Sequence, residues 1–245
     1  RYSPVCNENG GILDDVIVSR YESQWMIVCN GANRDKIVAW LHQHAAGRPV
    51  TINDITEATA MLAVQGPLTF PQAMKKIPIP LGDLKRYRFL AGNFMGMPYS
   101  IYRTGYTGED GVEVILPAGA AAMAWSFLMQ SDDEFEPPVV QPAGLGSRDT
   151  LRLEAGMPLY GHELHGNIDS LQADLAWGVD LNKDFIGAEA MRRLQKAGLP
   201  RKLIGLELDG KRIARQGSPV TLSGKTIGEV TSGTFGPTVQ KSIAM

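Results

Sequence analysis

Two adjacent carboxylates, Asp14 and Asp15, stand inside a β-rich run near the start of the chain, in NENGGILDDVIVSRY. Side chains alternate between the two faces of a strand. Asp14 therefore shares one face with apolar residues such as Ile12, and Asp15 shares the other with residues such as Leu13. Whichever face packs against the core, one carboxylate points toward buried surface, where it loses hydration at a cost. The fold must supply hydrogen-bond donors to compensate for that loss.

Two interpretations of this pair follow from the residues alone. In the structural one, an aspartate caps backbone N–H groups of the preceding Gly10-Gly11 turn, as short polar side chains often do. In the functional one, a carboxylate lies at the edge of a pocket and accepts a hydrogen bond from an amine of a bound ligand. The residues alone do not favour either.

A second candidate lies in RTGYTGEDGVEV, where a glycine-rich turn precedes a strand. Tyr106 can offer a ring face, and Glu113 alternates with Val112 and Val114, so it points away from them. A carboxylate with two acceptor oxygens suits a planar heterocycle that carries adjacent N–H donors. Taken alone, a hairpin with a solvated glutamate is the more common arrangement.

The pattern along the chain mixes hairpins and helices. ILDDVIV and QWMIVCN predict an antiparallel hairpin. NRDKIVAWLHQHAAG predicts a helix capped by Asn33 and ended by Gly47. We further expect a strand over 60–64, a helix over 68–76, a hairpin around GYTGEDG and a helix over 120–129.

The second half of the chain begins with an acidic, proline-rich loop, SDDEFEPPVVQP. PAGLGSRDTLRLEAG predicts a short helix with Ser147 at or near its N-cap and Gly156 at its end. The following segment, 157–177, reads as loop, and GAEAMRRLQKAG as a helix. From Leu203 onward, short β-rich runs with glycine turns indicate part of a small barrel or sandwich. We place the domain boundary between Leu199 and Pro200.

Composition excludes several function classes. The 245 residues carry 24 basic and 26 acidic side chains, without the basic excess typical of nucleic-acid binding or of attraction to an anionic membrane. No apolar run is long enough to cross a bilayer. The phosphate-loop motif GxxxxGK[ST], the dinucleotide-binding motif GxGxxG after a strand and the serine-hydrolase motif GxSxG are absent. The four histidines do not match HExxH, and the two cysteines do not form CxxC, so we expect no metal and reduced thiols.

Eight segments, in order along nearly the whole chain, resemble the glycine cleavage system T-protein family, the aminomethyltransferases. They are NENGGILDD, NGANRDK, AVQGP, RTGYTGEDGVEV, PAGLGSRDTLRLEAGMPLYG, LNKDFIG, and GKRIARQG with EVTSGTFGPT. The resemblance implies an α+β fold, in which a T-protein-type folate-binding domain with a ferredoxin-like portion occupies residues 1–199. A partial C-terminal β-barrel would occupy residues 200–245.

The family resemblance also implies an activity. A T protein takes the aminomethyl group carried on the lipoyl arm of the H protein and passes its one-carbon unit to tetrahydrofolate. The products are 5,10-methylenetetrahydrofolate and ammonia. The expected partners are thus the lipoylated H protein and tetrahydrofolate, with no nucleic acid and no membrane. We expect the bacterial cytoplasm as location, or the mitochondrial matrix for a eukaryotic source.

Site residues carry over position by position. The family's essential aspartate falls on Asp15, which would hydrogen-bond folate nitrogens, orient the attacking amine and help manage its proton. Asp14 would then be structural. Glu113 matches a glutamate that binds the pterin edge, and Arg148 a pocket arginine. The remaining matches line the folate pocket: Tyr2, Asn30, Tyr87 and Tyr106.

Departures and relatives leave alternatives. Met157 and Ser19 stand where some relatives carry an aromatic residue. Folate-dependent demethylases share the fold, and a folate-binding module without catalysis remains a further alternative. The iron–sulfur maturation branch carries a KGCYxGQE-type stretch, whereas this chain has GMPLYGHEL without cysteine.

The two ends carry an expectation of their own. The chain begins at Arg1 in a strand-like run and stops at KSIAM, so the resemblance implies that the family's N-terminal part and the last barrel strands are missing. Unpaired strand edges promote association. We therefore expect poor solubility of this chain expressed by itself.

Overall fold

A computed structural model describes residues 1–77, 79–130 and 138–245. The chain divides into two compact units, one formed by residues 1–52 and 156–245 and the other by residues 53–155. Most of the predicted acidic, proline-rich loop, residues 131–137, lies outside the described residues. Within the described residues, no helix combines the length and the apolarity needed to span a membrane.

The first unit begins with a three-stranded antiparallel sheet in the order β1-β2-β3. Its strands are β1 (Tyr2–Cys6), β2 (Ile12–Arg20) and β3 (Trp25–Val28). The predicted hairpin of β2 and β3 is confirmed. In β2 the buried side chains alternate through Ile12, Asp14 and Val16, so the face that carries Asp14 is the core face.

Helix α1 (Arg34–Ala45) follows β3 after a short 3-10 turn, Gly31–Asn33. The predicted helix is confirmed, and Asn33 occupies its N-cap position. The Asn33 side chain makes no capping hydrogen bond, however, because its amide donates to Asp14 instead. Gly47 lies just beyond the helix with φ 75°, a left-handed conformation that favours glycine.

The second unit is built on a four-stranded antiparallel sheet in the order β4-β7-β6-β5. The strands are β4 (Thr59–Gln65), β5 (Phe89–Phe94), β6 (Met97–Tyr102) and β7 (Gly111–Pro117). Helix α2 (Ala121–Leu128) follows β7 as predicted, and its Leu128 joins a core with Val64, Ile101 and Val112. The predicted strand over 60–64 and the hairpin around GYTGEDG are likewise confirmed.

The predicted helix over 68–76 is wrong. This segment forms turns, followed by a 3-10 helix at Ala73–Lys76. Pro71 lies within the segment and lacks the N–H that a continuous α-helix needs, so the proline works against regular helix there.

Helix α3 (Leu145–Glu154) confirms the short helix expected in PAGLGSRDTLRLEAG. Its N-cap residue is Gly144, and the Ser147 hydroxyl donates to the Gly144 carbonyl oxygen at 2.7 Å. Gly156 follows the helix with φ 69°. Residues 157–175 form loop as expected, a 3-10 helix follows at Ala176–Gly178, and helix α4 (Ala188–Ala197) confirms the helix of GAEAMRRLQKAG.

The C-terminal residues form two small antiparallel sheets, β10-β9 and β11-β12-β8. Their strands are β8 (Leu206–Leu208), β9 (Pro219–Leu222), β10 (Lys225–Glu229), β11 (Gly233–Gly236) and β12 (Lys241–Ala244). In the described part of the chain these sheets do not close into a barrel. Helices and antiparallel sheets thus build an α+β fold, as predicted.

Candidate functional site

In the first unit, β2 places the two aspartates on opposite sides of the strand. Asp14 is fully buried, whereas Asp15 is partly exposed. Three donors surround Asp14: the Asn30 backbone N–H lies 3.0 Å from Oδ2, and the side-chain amides of Asn30 and Asn33 lie 2.7 and 2.6 Å from Oδ1. These hydrogen bonds replace the water that a buried carboxylate loses.

Neither aspartate caps the Gly10-Gly11 turn. The side chain of Asn7 does so, because its Oδ1 accepts the backbone N–H groups of Asn9 and Gly11 at 2.9 and 3.0 Å. Asp14 instead ties β2 to the segment that leads into helix α1. The turn-capping interpretation of the aspartates is therefore wrong.

The Asp15 carboxyl is partly exposed and hydrogen-bonded. The Asn30 side-chain amide donates to Asp15 Oδ1 at 2.9 Å. Burial raises the pKa of Asp15 above its usual range, and the neighbouring Asp14 charge adds to this, although hydrogen bonds from Asn30 and Tyr2 partly oppose the shift. A carboxyl with a raised pKa is a better proton acceptor near neutral pH.

The structure thus brings together three of the predicted site residues in the first unit, Asp15, Asn30 and Tyr2. Tyr2 also stacks on Trp177, with ring centroids 5.5 Å apart and planes at 25°. Trp177 is 72% exposed, an unusual state for so large an aromatic side chain. Sequence reasoning missed Trp177, because the loop around it carries no pattern that singles it out.

In the second unit, Glu113 lies on β7 opposite Tyr102 of β6. The Thr104 hydroxyl donates to Glu113 Oε2 at 2.6 Å. A carboxylate keeps further acceptor capacity beyond one such bond, so Glu113 remains able to accept N–H groups. Thr104 belongs to the RTGYTGEDGVEV motif, but the sequence pattern does not indicate its hydrogen bond to Glu113, which only the structure shows.

Tyr106 and Arg148 are also brought together. The guanidinium carbon of Arg148, on α3, lies 4.7 Å from the centre of the Tyr106 ring, within the range of a cation–π interaction. Tyr87 is 77% exposed and has φ 62°, which is uncommon for a tyrosine. The Arg86 guanidinium lies 5.7 Å from the Tyr87 ring centre.

In residues 1–77, 79–130 and 138–245, His, Cys, Asp and Glu do not gather in a group of three that could hold a metal. Within the described residues, Cys6 and Cys29 form no disulfide, and burial raises the pKa of Cys6 to about 11. His162 Nδ1 lies 3.0 Å from the Thr231 carbonyl oxygen, so this ring contacts the C-terminal strand region.

Comparison with known proteins agrees with this architecture. The sequence profile of the GCVT N-terminal domain matches residues 1–183, and that of the glycine cleavage T-protein C-terminal barrel domain matches residues 201–245. Neither match tests the domain boundary predicted between Leu199 and Pro200, which stays a prediction.

Individual relatives span the whole chain. An aminomethyltransferase of Rubrobacter xylanophilus is 44% identical over 250 residues, which cover 100% of this chain and 64% of that protein. One of Thermotoga maritima is 41% identical over 245 residues, covering 100% and 66%. The crystal structure of glycine cleavage system aminomethyltransferase T from Bartonella henselae superposes with TM-score 0.87 at 33% identity, again over 100% and 66%. The chain thus spans about two thirds of these relatives' length and belongs to the glycine cleavage T-protein family.

Proposed function

We propose that this chain carries the folate-binding and catalytic carboxyl groups of an aminomethyltransferase of the glycine cleavage system. The reaction would transfer the one-carbon unit of the aminomethyl group on the lipoyl arm of the H protein to tetrahydrofolate. It would release 5,10-methylenetetrahydrofolate and ammonia. Membership of the T-protein family and relatives named aminomethyltransferase support this proposal.

The observation that carries the catalytic assignment is the environment of Asp15. This carboxyl is partly exposed, its pKa is raised by burial, and Asn30 holds one oxygen in a fixed direction. A second oxygen can accept an N–H of the folate amine that attacks the one-carbon unit. Asp15 would orient that amine and accept its proton as the new bond forms, which is positioning and general base catalysis.

The remaining predicted residues would bind the folate. In the first unit, the Tyr2 ring offers an apolar wall extended by Trp177, and Asn30 fixes Asp15. In the second unit, Glu113 would accept the N–H groups of the pterin edge, and Arg148 would supply a positive charge beside Tyr106. Tyr87 is proposed as a further aromatic wall. A metal is not part of the proposal, and location in the cytoplasm stays a prediction.

The test compares Asp15→Asn with the unchanged chain and with Asp209→Asn, which removes the same charge from an exposed loop. Tetrahydrofolate is titrated calorimetrically into each protein under reducing conditions. Ammonia release is measured with aminomethyl-loaded H protein. We expect Asp15→Asn to keep affinity within about tenfold while turnover falls by about a hundredfold or more, because general base catalysis contributes on that order.

Stability provides the control for folding. Since the pKa of Asp15 is raised in the folded state, the folded protein binds a proton more readily there than the unfolded chain does, so ionising Asp15 costs stability as pH rises through that pKa. Asp15→Asn removes this cost and should be at least as stable at neutral pH. Unchanged turnover in Asp15→Asn would refute the catalytic role of Asp15. Tetrahydrofolate binding without turnover in the unchanged chain would favour a folate-binding module without catalysis, and turnover with a different one-carbon donor would favour a demethylase.

A further inference from the structure

Asp15 stands at one end of a continuous row of polar contacts in the first unit. The Asn30 side-chain nitrogen lies 2.9 Å from Asp15 Oδ1 and 2.7 Å from Asp14 Oδ1. An amide nitrogen carries two hydrogens, so Asn30 can serve both carboxylates at once. The direction in which Asn30 donates to Asp15 therefore depends on Asp14 staying in place.

Asn33 extends the row beyond Asp14. Its side-chain nitrogen lies 2.6 Å from Asp14 Oδ1, and its oxygen accepts the Lys36 ammonium at 2.8 Å. An ammonium can only donate, so it fixes the Asn33 oxygen toward Lys36 and the Asn33 NH2 group toward Asp14. Asn33 is buried, which leaves water little access to compete for these bonds.

Lys36 is itself held from a different part of the first unit. Its ammonium nitrogen lies 2.7 Å from the Tyr160 hydroxyl oxygen and 4.3 Å from the centre of the Tyr160 ring. The Tyr160 side chain packs against the core cluster that contains Ile12 and Leu164. Helix α1, the loop after Gly156 and strand β2 are thus connected through one charged side chain.

We propose that Lys36, held by Tyr160, is a positioning residue that acts through Asn33, Asp14 and Asn30 to set the orientation and charge of Asp15. This inference rests on the proposed function of Asp15. This row of polar contacts gives Asp14 a defined role, because its buried carboxylate accepts hydrogen bonds from both asparagines. Lys36 need not touch the substrate, since it acts through this row.

Among the described residues, the titratable groups that interact directly with Asp15 are Asp14 and Tyr2. Asp14 adjoins it on β2, and Tyr2 donates to it from β1. Lys36, on α1, is connected to Asp15 through the hydrogen bonds of the two asparagines, and its ammonium also contacts the Tyr160 hydroxyl. Removing the Lys36 ammonium takes away positive charge and loosens the Asn30 donor. Both effects favour the neutral form of the Asp15 carboxyl.

The experiment titrates the Asp15 carboxyl by carbon-13 NMR in the protein without folate, with its signal assigned by its loss in Asp15→Asn. The variants are Lys36→Met, which keeps the apolar stem, and Tyr160→Phe, which removes only the hydroxyl that holds Lys36. Lys225→Met, on an exposed strand, is the matched control for charge. We expect the Asp15 midpoint to rise by about half a unit or more in Lys36→Met, by less in Tyr160→Phe, and not in the control.

An Asp15 midpoint that is unchanged or lowered in folded Lys36→Met overturns the proposal. A purely structural role would lower the melting temperature without moving this titration. If Lys36→Met fails to fold, Tyr160→Phe decides by the same criterion. The titration needs no folate. A protein in which the midpoint of the Asp15 titration shifts as expected, but which binds no tetrahydrofolate, would therefore refute the proposed function and leave the positioning role of Lys36 supported.

Discussion

The adjacent aspartates Asp14 and Asp15 differ in burial and in hydrogen bonding. Asp14 is fully buried among three donors, whereas Asp15 is partly exposed and receives the second hydrogen of Asn30. The difference arises because strand alternation sends one side chain into the core and the next one away from it. The buried aspartate then serves to hold the polar groups that surround its more exposed neighbour.

Gly11 provides a test at the residue scale. A Cβ atom added there would lie 1.8 Å from the Gly166 carbonyl oxygen, and backbone cannot move aside as a flexible side chain can. We expect Gly11→Ala to lower the free energy of unfolding by about 3 kcal/mol, the upper range for overpacking. Urea denaturation of the two proteins measures the difference.

The matched control for that substitution is Gly205→Ala in the same unit. An added Cβ at Gly205 has no atom within 4 Å. Its effect on unfolding should stay within about 0.5 kcal/mol. Equal effects of the two substitutions would show that the close approach of Gly11 to Gly166 is not the cause of the cost.

At the scale of elements, an ion pair braces the connection between β6 and β7. Arg103 binds Asp110 through two nitrogens, with Nε 3.1 Å from Oδ1, and donates to the Leu84 carbonyl oxygen at 2.7 Å. The guanidinium also lies 3.9 Å from the Phe70 ring centre. This connection contains Thr104 and Tyr106, so the ion pair supports the segment proposed to bind folate.

Asp110 makes the stability of this connection depend on pH. The hydrogen bond with Arg103 lowers the pKa of Asp110, so its contribution is present above the unfolded pKa and is lost as pH falls through the folded one. We expect Asp110→Asn to lower the melting temperature at neutral pH, with the gap to the unchanged protein closing in acid. The pair is partly exposed, so the effect should be modest and weaken with salt.

Thermal unfolding between pH 7 and pH 3 measures this gap. Glu109→Gln, at an exposed neighbouring position, is the control and should show no comparable gap. If the difference in melting temperature between Asp110→Asn and the unchanged protein stays the same down to pH 3, the ion pair with Arg103 is not the cause of the difference.

At the scale of the whole molecule, the β9–β10 hairpin exposes apolar side chains. Leu222 and Ile227 are 64% and 63% exposed, and every residue of β10 is exposed. Exposed strands with apolar side chains favour association. We expect this chain to associate at micromolar concentration, and the double variant Leu222→Lys with Ile227→Lys to be less associated.

Light scattering after size-exclusion chromatography measures that association. Thr226→Lys is the matched control, because it adds a charge to the same strand without removing an apolar side chain. A monodisperse, cooperatively unfolding sample of the unchanged chain would refute the prediction of poor solubility. If Thr226→Lys reduces association as much as the double variant, net charge rather than the apolar surface is responsible.

Local patterns in the sequence were sufficient for most elements. The helix of NRDKIVAWLHQHAAG, the hairpin of β2 and β3 and the helix of GAEAMRRLQKAG follow from periodicity and glycine stops, which depend on near neighbours. The helix expected over 68–76 is wrong, because Pro71 lacks the N–H that a continuous α-helix needs there. Alternation in ILDDVIV alone required that one of two aspartates be buried.

Tertiary structure alone decided which aspartate is buried and what compensates it. The donors Asn30 and Asn33 lie 16 and 19 residues beyond Asp14, and their amides reach it only because β3 and the turn before α1 fold back against β2. Lys36 and Tyr160 are 124 positions apart, and the stacked rings of Tyr2 and Trp177 are still farther apart in sequence. Sequence patterns report local backbone preference and the polarity of each face, whereas contacts between distant side chains depend on how the elements pack.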